Sequence, residues 1–238
     1  MLKPLVAKTV SRVLGRTGRV RQVETLSPNL FRVCLHGEEL HQLRGEVGDK
    51  IKVDVGSGMR SYTPSRLAPG EVDFVVQAHG ESAGSRWVRG LREGDEVRFF
   101  GPVRSLDLAF PKDVPWVAFY GDETTVGLVE ALERSIGPSR LRGGVELATA
   151  DRVAVRELAV DAVARDDRAY GDALVEHARS ASWEGGGFVA LSGEAGTVQR
   201  LRTYLLKEVG LAKTQLRVKP YWSVRGKAHR KQLERTFG

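Results

Sequence analysis

Five short segments carry residue types that suit an anionic, aromatic ligand. The first is Arg60-Ser61-Tyr62-Thr63-Pro64, directly after Gly56-Ser57-Gly58. A guanidinium can grip a phosphate through two parallel N–H donors. A phenol ring stacks on a planar heterocycle, and a threonine hydroxyl can hydrogen-bond a ring nitrogen. Strand alternation sends Arg60 and Tyr62 to one face. The plainer alternative is a turn before a proline. The second segment is His79-Gly80-Glu81-Ser82-Ala83-Gly84-Ser85-Arg86-Trp87. Here a strand ends, small residues follow and a helix begins. The first amides of a helix are unpaired donors whose dipole favours an anion. A lone His79 at a strand end is equally a structural donor.

Gly121-Asp122-Glu123-Thr124-Thr125 and Ser192-Gly193-Glu194-Ala195-Gly196-Thr197 each join an apolar strand to a helix. Ligands of open parallel sheets bind at such strand ends. Neither is a dinucleotide glycine fingerprint nor a Walker loop, and Asp122 and Glu123 also suit a helix N-terminus as plain dipole partners. Two small-residue elbows in one sheet say more than either alone. The fifth segment is Lys219-Pro220-Tyr221-Trp222 with the basic stretch after it. Its aromatic pair could cover a planar cofactor while its cations attract an anion.

These segments need elements to position them. Val20–Val23, Leu30–Leu35, Lys50–Val55, Val72–Gln77 and Glu96–Phe100 are short runs of alternating or β-branched apolar residues between turn residues, the spacing of a sandwich or small barrel. A helical patch over Ser85–Leu91, with Ser85 as its cap, interrupts them. After Phe110-Pro111 the rhythm changes. Strands over Trp116–Tyr120, Val145–Thr149, Val160–Ala164, Gly187–Leu191 and Gln215–Lys219 alternate with helices over Glu123–Arg134, Gly171–Ser180 and Ala195–Val209. That alternation implies βαβ units and a parallel sheet. The expected organisation is a basic extension (1–16), an antiparallel barrel (17–112), an open α/β domain (113–218) and a basic tail (219–238).

The 238 residues are 41% hydrophobic and 28% charged, enough for a real core and unlike disordered or collagenous chains. No run approaches the roughly 18 apolar residues of a membrane span, and the N-terminus lacks a secretory pattern. Cys34, the single cysteine, excludes an internal disulfide, a thiolate zinc site and a cysteine-ligated iron–sulfur cluster. No metal site is expected, and the location expected is cytoplasmic. The net charge of +7 is uneven. Residues 1–21 hold six basic groups and no acid, and residues 211–238 hold eight against Glu234. Two basic ends on an acidic body fit a local anion site or two solvated ends. They do not fit a nucleic-acid platform, because aromatics do not interleave with the basic residues.

In order, R-x-Y-T-P, H-G with S-R-W, G-D-E-T, G-E-A and a late Y-W resemble the siderophore-interacting protein family, from about Gly18 to Gly226. That family comprises FAD-dependent ferric-siderophore reductases within the ferredoxin–NADP reductase superfamily. The resemblance implies a six-stranded flavin-binding barrel followed by a pyridine-nucleotide-binding α/β domain. It implies Arg60 and Ser61 at the flavin phosphates, Tyr62 on the isoalloxazine and Thr63 near its N5. His79, Gly80, Ser82, Gly84 and Ser85 would line the pyrophosphate and adenosine half. Gly121, Asp122, Glu123, Thr124, Gly193, Glu194 and Ala195 would border the NADH or NADPH pocket and the flavin edge. Trp222 would cover the cofactor, and Lys219, Tyr221, Arg225 and Lys227 would shape the end that meets an anionic ferric siderophore. The implied activity is electron transfer from NAD(P)H, or from a ferredoxin, through FAD to Fe(III). No protein nucleophile or acid–base pair is needed, because the cofactor carries the chemistry. Three departures from the family pattern, at Ala83-Gly84, Thr125-Val126-Gly127 and Ser223-Val224-Arg225, leave the donor and acceptor open. An electron-transfer protein with another acceptor and a non-catalytic flavin or siderophore carrier are the alternatives.

Overall fold

The computed structural model describes residues 15–226. The chain divides into two compact units between Ser105 and Leu106. In the first, β1 (Arg16–Ser27), β2 (Leu30–His36), β3 (Lys50–Asp54), β4 (Met59–Tyr62), β5 (Pro64–Ala68), β6 (Glu71–Gln77) and β7 (Glu96–Val103) form one antiparallel sheet. Its order is β4-β3-β7-β1-β2-β6-β5. The sheet has seven strands where six were expected, because the segment after Gly58 makes two short strands. Those strands, β4 and β5, sit at opposite ends of the order, yet Thr63 alone separates them in the chain. Two ends one residue apart force the sheet to roll up on itself. The barrel is therefore a rolled sheet whose ends are joined by the chain, with no β4–β5 ladder among the described pairings.

Alternate residues fill its interior: Val33, Leu35, Ile51, Val53, Val72, Phe74, Val76 and Phe99 are buried together. Helix α1 (Ala83–Gly90) adds Val88 to that core. The helix starts two residues before the expected Ser85. Ser82 is the cap, its side-chain oxygen accepting from the Ser85 N–H at 3.2 Å. An extended residue with a short polar side chain three positions before a free amide is the arrangement a helix start needs.

The second unit is a parallel sheet of β8 (Val117–Asp122), β9 (Leu141–Leu147), β10 (Asp161–Ala164), β11 (Phe188–Glu194) and β12 (Leu216–Trp222), in the order β10-β9-β8-β11-β12. Helices α2 (Val126–Ile136), α3 (Asp172–Ser180) and α4 (Ala195–Lys207) cover it. All six residues of β8 are buried, as a central parallel strand requires. The chain lays β9 and β10 on one side of β8, then β11 and β12 on the other. The order reverses between β8 and β11, where such sheets open a crevice at their carboxyl ends. No described helix is long and apolar enough to cross a membrane.

The second of these strands was expected over Val145–Thr149 but runs over Leu141–Leu147, with a 3-10 segment at Thr149–Val155. Gly143 and Gly144, left outside the expected strand, lie within the observed one and let strands approach. Gly143 lies opposite Phe119 at φ +117°, and a Cβ there would fall 2.0 Å from the Phe119 carbonyl oxygen. Gly143→Ala should therefore lower stability by about 3 kcal/mol or more, through overpacking and a strained backbone. Urea unfolding would register this as a lower midpoint, and an unchanged midpoint would refute the packing argument.

Candidate functional site

In the first unit, β4 pairs with β3 so that Arg60 faces Val53 and Tyr62 faces Ile51. Directly opposed residues share a face, so Arg60 and Tyr62 project to one side. The Tyr62 ring stacks on Phe74 at 5.2 Å and on Trp87 at 6.4 Å, with its plane within 28° of each. Burial pushes the Tyr62 phenol up to about 12, with the nearby Arg60 charge opposing. Arg60 and Ser61 are exposed and Thr63 is buried. The Arg60 guanidinium donates to the Met59 carbonyl at 3.1 Å. Among the described residues no carboxylate lies within ion-pair distance of it.

The loop before α1 is tied down from both sides. Ser85 Oγ donates to the His79 carbonyl at 2.8 Å, and Arg89 donates to the carbonyls of Ala78 and Gly80. His79 itself is exposed and meets only its neighbour Gln77, 3.1 Å away. Gly80 sits at φ +53° with open space around it. Gly84 is buried, and a Cβ there would come within 3.0 Å of the Tyr62 hydroxyl. The structure thus brings the Arg60–Thr63 strand and the His79–Trp87 segment together, through Tyr62 against Gly84 and Trp87. Nothing in this arrangement conflicts with a flavin nucleotide. It offers a guanidinium without a carboxylate partner, a half-exposed ring with a flat face, and a glycine-lined loop.

In the second unit, the carboxyl ends of the strands carry a buried acidic cluster: Asp122, Glu123, Glu146 and Glu194. Asp122 Oδ1 accepts from the Thr124 N–H at 2.9 Å and from the Thr124 hydroxyl at 2.5 Å. Its Oδ2 accepts from the Glu194 N–H at 2.7 Å and from the Trp222 indole N–H at 2.8 Å. Glu194 caps α4, accepting from the Thr197 N–H at 2.8 Å. Glu146 accepts from the N–H groups of Gly171 and Leu174 and so caps α3. Arg165, at the end of β10, forks onto both Glu123 oxygens at 3.1 and 3.2 Å.

This geometry changes the meaning of the two elbows. Their small residues make room for the protein itself: a Cβ at Gly121 would lie 2.4 Å from Thr125 Oγ1, and one at Gly193 2.5 Å from Asp122 Oδ2. The amides of Thr124, Glu194 and Thr197 are already held by carboxylates. An incoming phosphate would meet Asp122 and Glu194 instead of free donors. Beside them opens a cavity of about 540 Å³, lined by Tyr170, Glu194, Thr197, Arg200, Val224 and Arg225 among others.

Ala195 is buried in the first turn of α4. Lys219 and Tyr221 lie two apart on the edge strand β12, with the Lys219 carbonyl accepting from Ser192 Oγ at 2.7 Å. Arg225 is exposed beyond the strand end, and Lys227 lies outside the described residues. Sequence reasoning missed Arg165, Tyr170 and Glu146. Arg165-Asp166-Asp167-Arg168 reads as a solvated charge run, and nothing in it signals that one arginine turns inward.

A rolled antiparallel sheet followed by a parallel sheet with its reversal point between first and fourth strands is a ferredoxin-reductase-like fold. Residues 114–225 match the model of the siderophore-interacting protein family. A siderophore utilization protein from T. fusca superimposes with a TM-score of 0.75 at 21% identity, over 90% of this chain and 94% of that one. The flavohem-like FAD/NAD binding domain of nitric oxide dioxygenase from Vibrio cholerae O1 biovar El Tor gives a TM-score of 0.71 at 17% identity, over 87% and 98%. In sequence, the plasma membrane-associated coenzyme Q6 reductase PGA3 of Saccharomyces cerevisiae is 35% identical over 63 residues. That segment is 26% of this chain and 20% of the yeast protein.

Burial, then the neighbouring Glu123 charge, raises the Asp122 carboxyl to about 7, against the hydrogen bonds from Thr124 and Trp222. A carboxyl whose folded pKa is raised contributes stability that is full below its unfolded value near ~4 and is lost as pH rises through the folded one. Asp122→Asn removes this titration. The stability of the wild type minus that of the variant should fall by about 1–3 kcal/mol between pH 4 and pH 8. Parallel urea midpoints across that range would refute it.

Proposed function

We propose that this protein is a flavin-dependent reductase that passes electrons from NADH or NADPH through FAD to Fe(III) held by a siderophore, releasing Fe(II). The observation that carries this reading is the pairing of two features. One is the exposed Arg60, with no carboxylate within ion-pair distance among the described residues, beside the partly exposed Tyr62 ring on β4. The other is the siderophore-interacting family match over residues 114–225. Bound FAD would supply the redox chemistry, accepting an electron pair from the nicotinamide donor and yielding electrons singly to the ferric chelate.

The chain's own residues bind, orient and shield. Arg60 neutralises the flavin diphosphate, with Ser61 beside it, while Tyr62 offers its ring and Thr63 its hydroxyl to the isoalloxazine. The tied loop from His79 through Gly80, Ser82, Gly84 and Ser85 lines the adenosine half. In the second unit, the carboxylate-held elbows Gly121–Thr124 and Gly193–Ala195 border the donor pocket and fix Trp222. Arg200, ion-paired with Asp172, and Arg225 line the adjoining cavity. Lys219, Tyr221 and Arg225 face the anionic chelate. Siderophores hold Fe(III) through hard oxygen donors, and reduction to the softer Fe(II) loosens that grip without a protein ligand to the metal.

Arg60→Ala and Tyr62→Ala should each raise the Kd for FAD by about tenfold or more, since a charge-assisted contact or a stacked ring is lost. Flavin fluorescence titration measures this. A colourless protein that takes up no added FAD would end the reading. If FAD binds, but NADH and NADPH both fail to bleach it and a ferric siderophore fails to restore its colour, the protein is a carrier. Replacing Lys219, Arg225 and Lys227 together by serine should raise KM for anionic ferric chelates and flatten its salt dependence. An unchanged KM would remove these cations from the substrate site.

A further inference from the structure

The aromatic side chain at the end of β12 is held on two sides, and only one of them is polar. Trp222 gives its indole N–H to Asp122 Oδ2 at 2.8 Å. Against its ring stands Tyr170, edge to face, with centroids 5.0 Å apart and planes at 85°. Tyr170 is itself fixed twice. The Arg165 guanidinium lies over its ring, 4.2 Å from the centroid, and Arg200 donates to its backbone carbonyl. Arg165 is held in turn by its fork onto Glu123, the residue after Asp122. The contacts therefore close a ring: Asp122, Trp222, Tyr170, Arg165, Glu123 and back along the chain to Asp122.

A single hydrogen bond leaves an indole free to pivot about its N–H. A second contact at the ring face removes that freedom, and an edge-to-face geometry sets the plane. Tyr170 is 37% exposed, too open to serve mainly as core, and it lines the cavity beside Glu194 and Arg225. Its loop, from the end of β10 to the start of α3, has no other evident reason to place a large aromatic there.

We infer that Tyr170, pressed between the Arg165 guanidinium and the Trp222 ring, is a positioning residue that sets the angle of Trp222 at the cofactor end of the sheet. This rests on the reading that Trp222 covers the flavin. Tyr170→Phe keeps the ring, the cation contact and the edge-to-face pair. Tyr170→Ala removes all three at a half-exposed position without stranding a buried charge, because Glu123 keeps Arg165.

The test uses the full chain labelled with 15N at its four tryptophans. Trp222→Phe deletes one indole N–H signal and so assigns it. With Tyr170→Ala, solvent exchange of that proton should accelerate by about fivefold to tenfold, since an aromatic pair of this kind contributes about 1 kcal/mol, while the other indoles stay as they were. Tyr170→Phe should stay within about twofold of the wild type. In the FAD-loaded protein, Tyr170→Ala should also change kcat for NADH-driven ferric reduction while FAD content is retained. An indole signal unmoved by Tyr170→Ala overturns the inference. So does an altered indole with unchanged turnover, which would make the contact purely structural. A wild type that binds no FAD defeats the flavin reading instead, and the exchange measurement still judges the Tyr170–Trp222 contact on its own.

Discussion

A carboxylate taken out of water must be surrounded by donors, and the Asp122 side chain organises the second unit on that condition. Its two oxygens collect four donors, from the turn after β8, from the end of β11 and from the last residue of β12. Those strands are neighbours at the point where the sheet order reverses. A parallel sheet there would ordinarily splay into an open crevice. Here one buried carboxyl group draws the strand ends together and specifies which amides point inward. Leaving such buried donors without their acceptor costs more than forming the bonds gains, so the group fixes geometry more than it adds stability. Gly121 and Gly193 follow from it: each must be small because Asp122 or its turn occupies the space.

The same logic extends outward along the acidic cluster. Four acidic side chains crowd the strand ends, and each has its own set of donors. Glu146 and Glu194 accept from amides at two helix starts. Glu123 engages both arms of Arg165. The first unit solves a simpler problem. Its rolled sheet leaves one polar stretch at the short break between β4 and β5, and Tyr62 bridges that break to α1 by stacking on Phe74 and Trp87. Arg60 projects from the same face with no carboxylate within ion-pair distance among the described residues. One unit thus presents an exposed cation and the other presents buried, hydrogen-bonded carboxyl groups.

The order of elements was legible because it rests on periodicity. Alternation gave the antiparallel strands, and the change of rhythm after Phe110-Pro111 separated them from the βαβ half. What failed did so locally. The strand expected from Val145 starts at Leu141, since only packing against Phe119 distinguishes a close-approach glycine such as Gly143 from a turn glycine. Thr63 hid a strand break because a single residue carries no pattern. Among candidate residues, Arg60, Tyr62 and Gly84 could be picked out by type and do stand together in the first unit. The elbows were read as bordering a ligand pocket because ligands of open parallel sheets bind at such strand ends. Whether an amide is free depends on which carboxylate folds back onto it, and that is a tertiary fact. Arg165 and Tyr170 were invisible for the same reason: a charge run reads as solvated until the fold turns one member inward.

Electrostatics then argues for how an anionic chelate and an acidic sheet edge coexist. The four carboxylates are buried and internally matched, so they project little field into solvent. Arg217, Lys219 and Arg225 lie on or just beyond the edge strand β12, in contact with water, where their field acts over roughly 8 Å at physiological salt. Buried charges that are paired organise structure, whereas exposed charges that are only partly offset steer ligands. The basic end of the chain can therefore draw an anion towards the same strand that carries Trp222, although the strand ends beneath it are acidic. An anion approaching on that side would meet cations first and the aromatic ring next, and it would have no need to displace any of the carboxyl contacts that hold the ring in place.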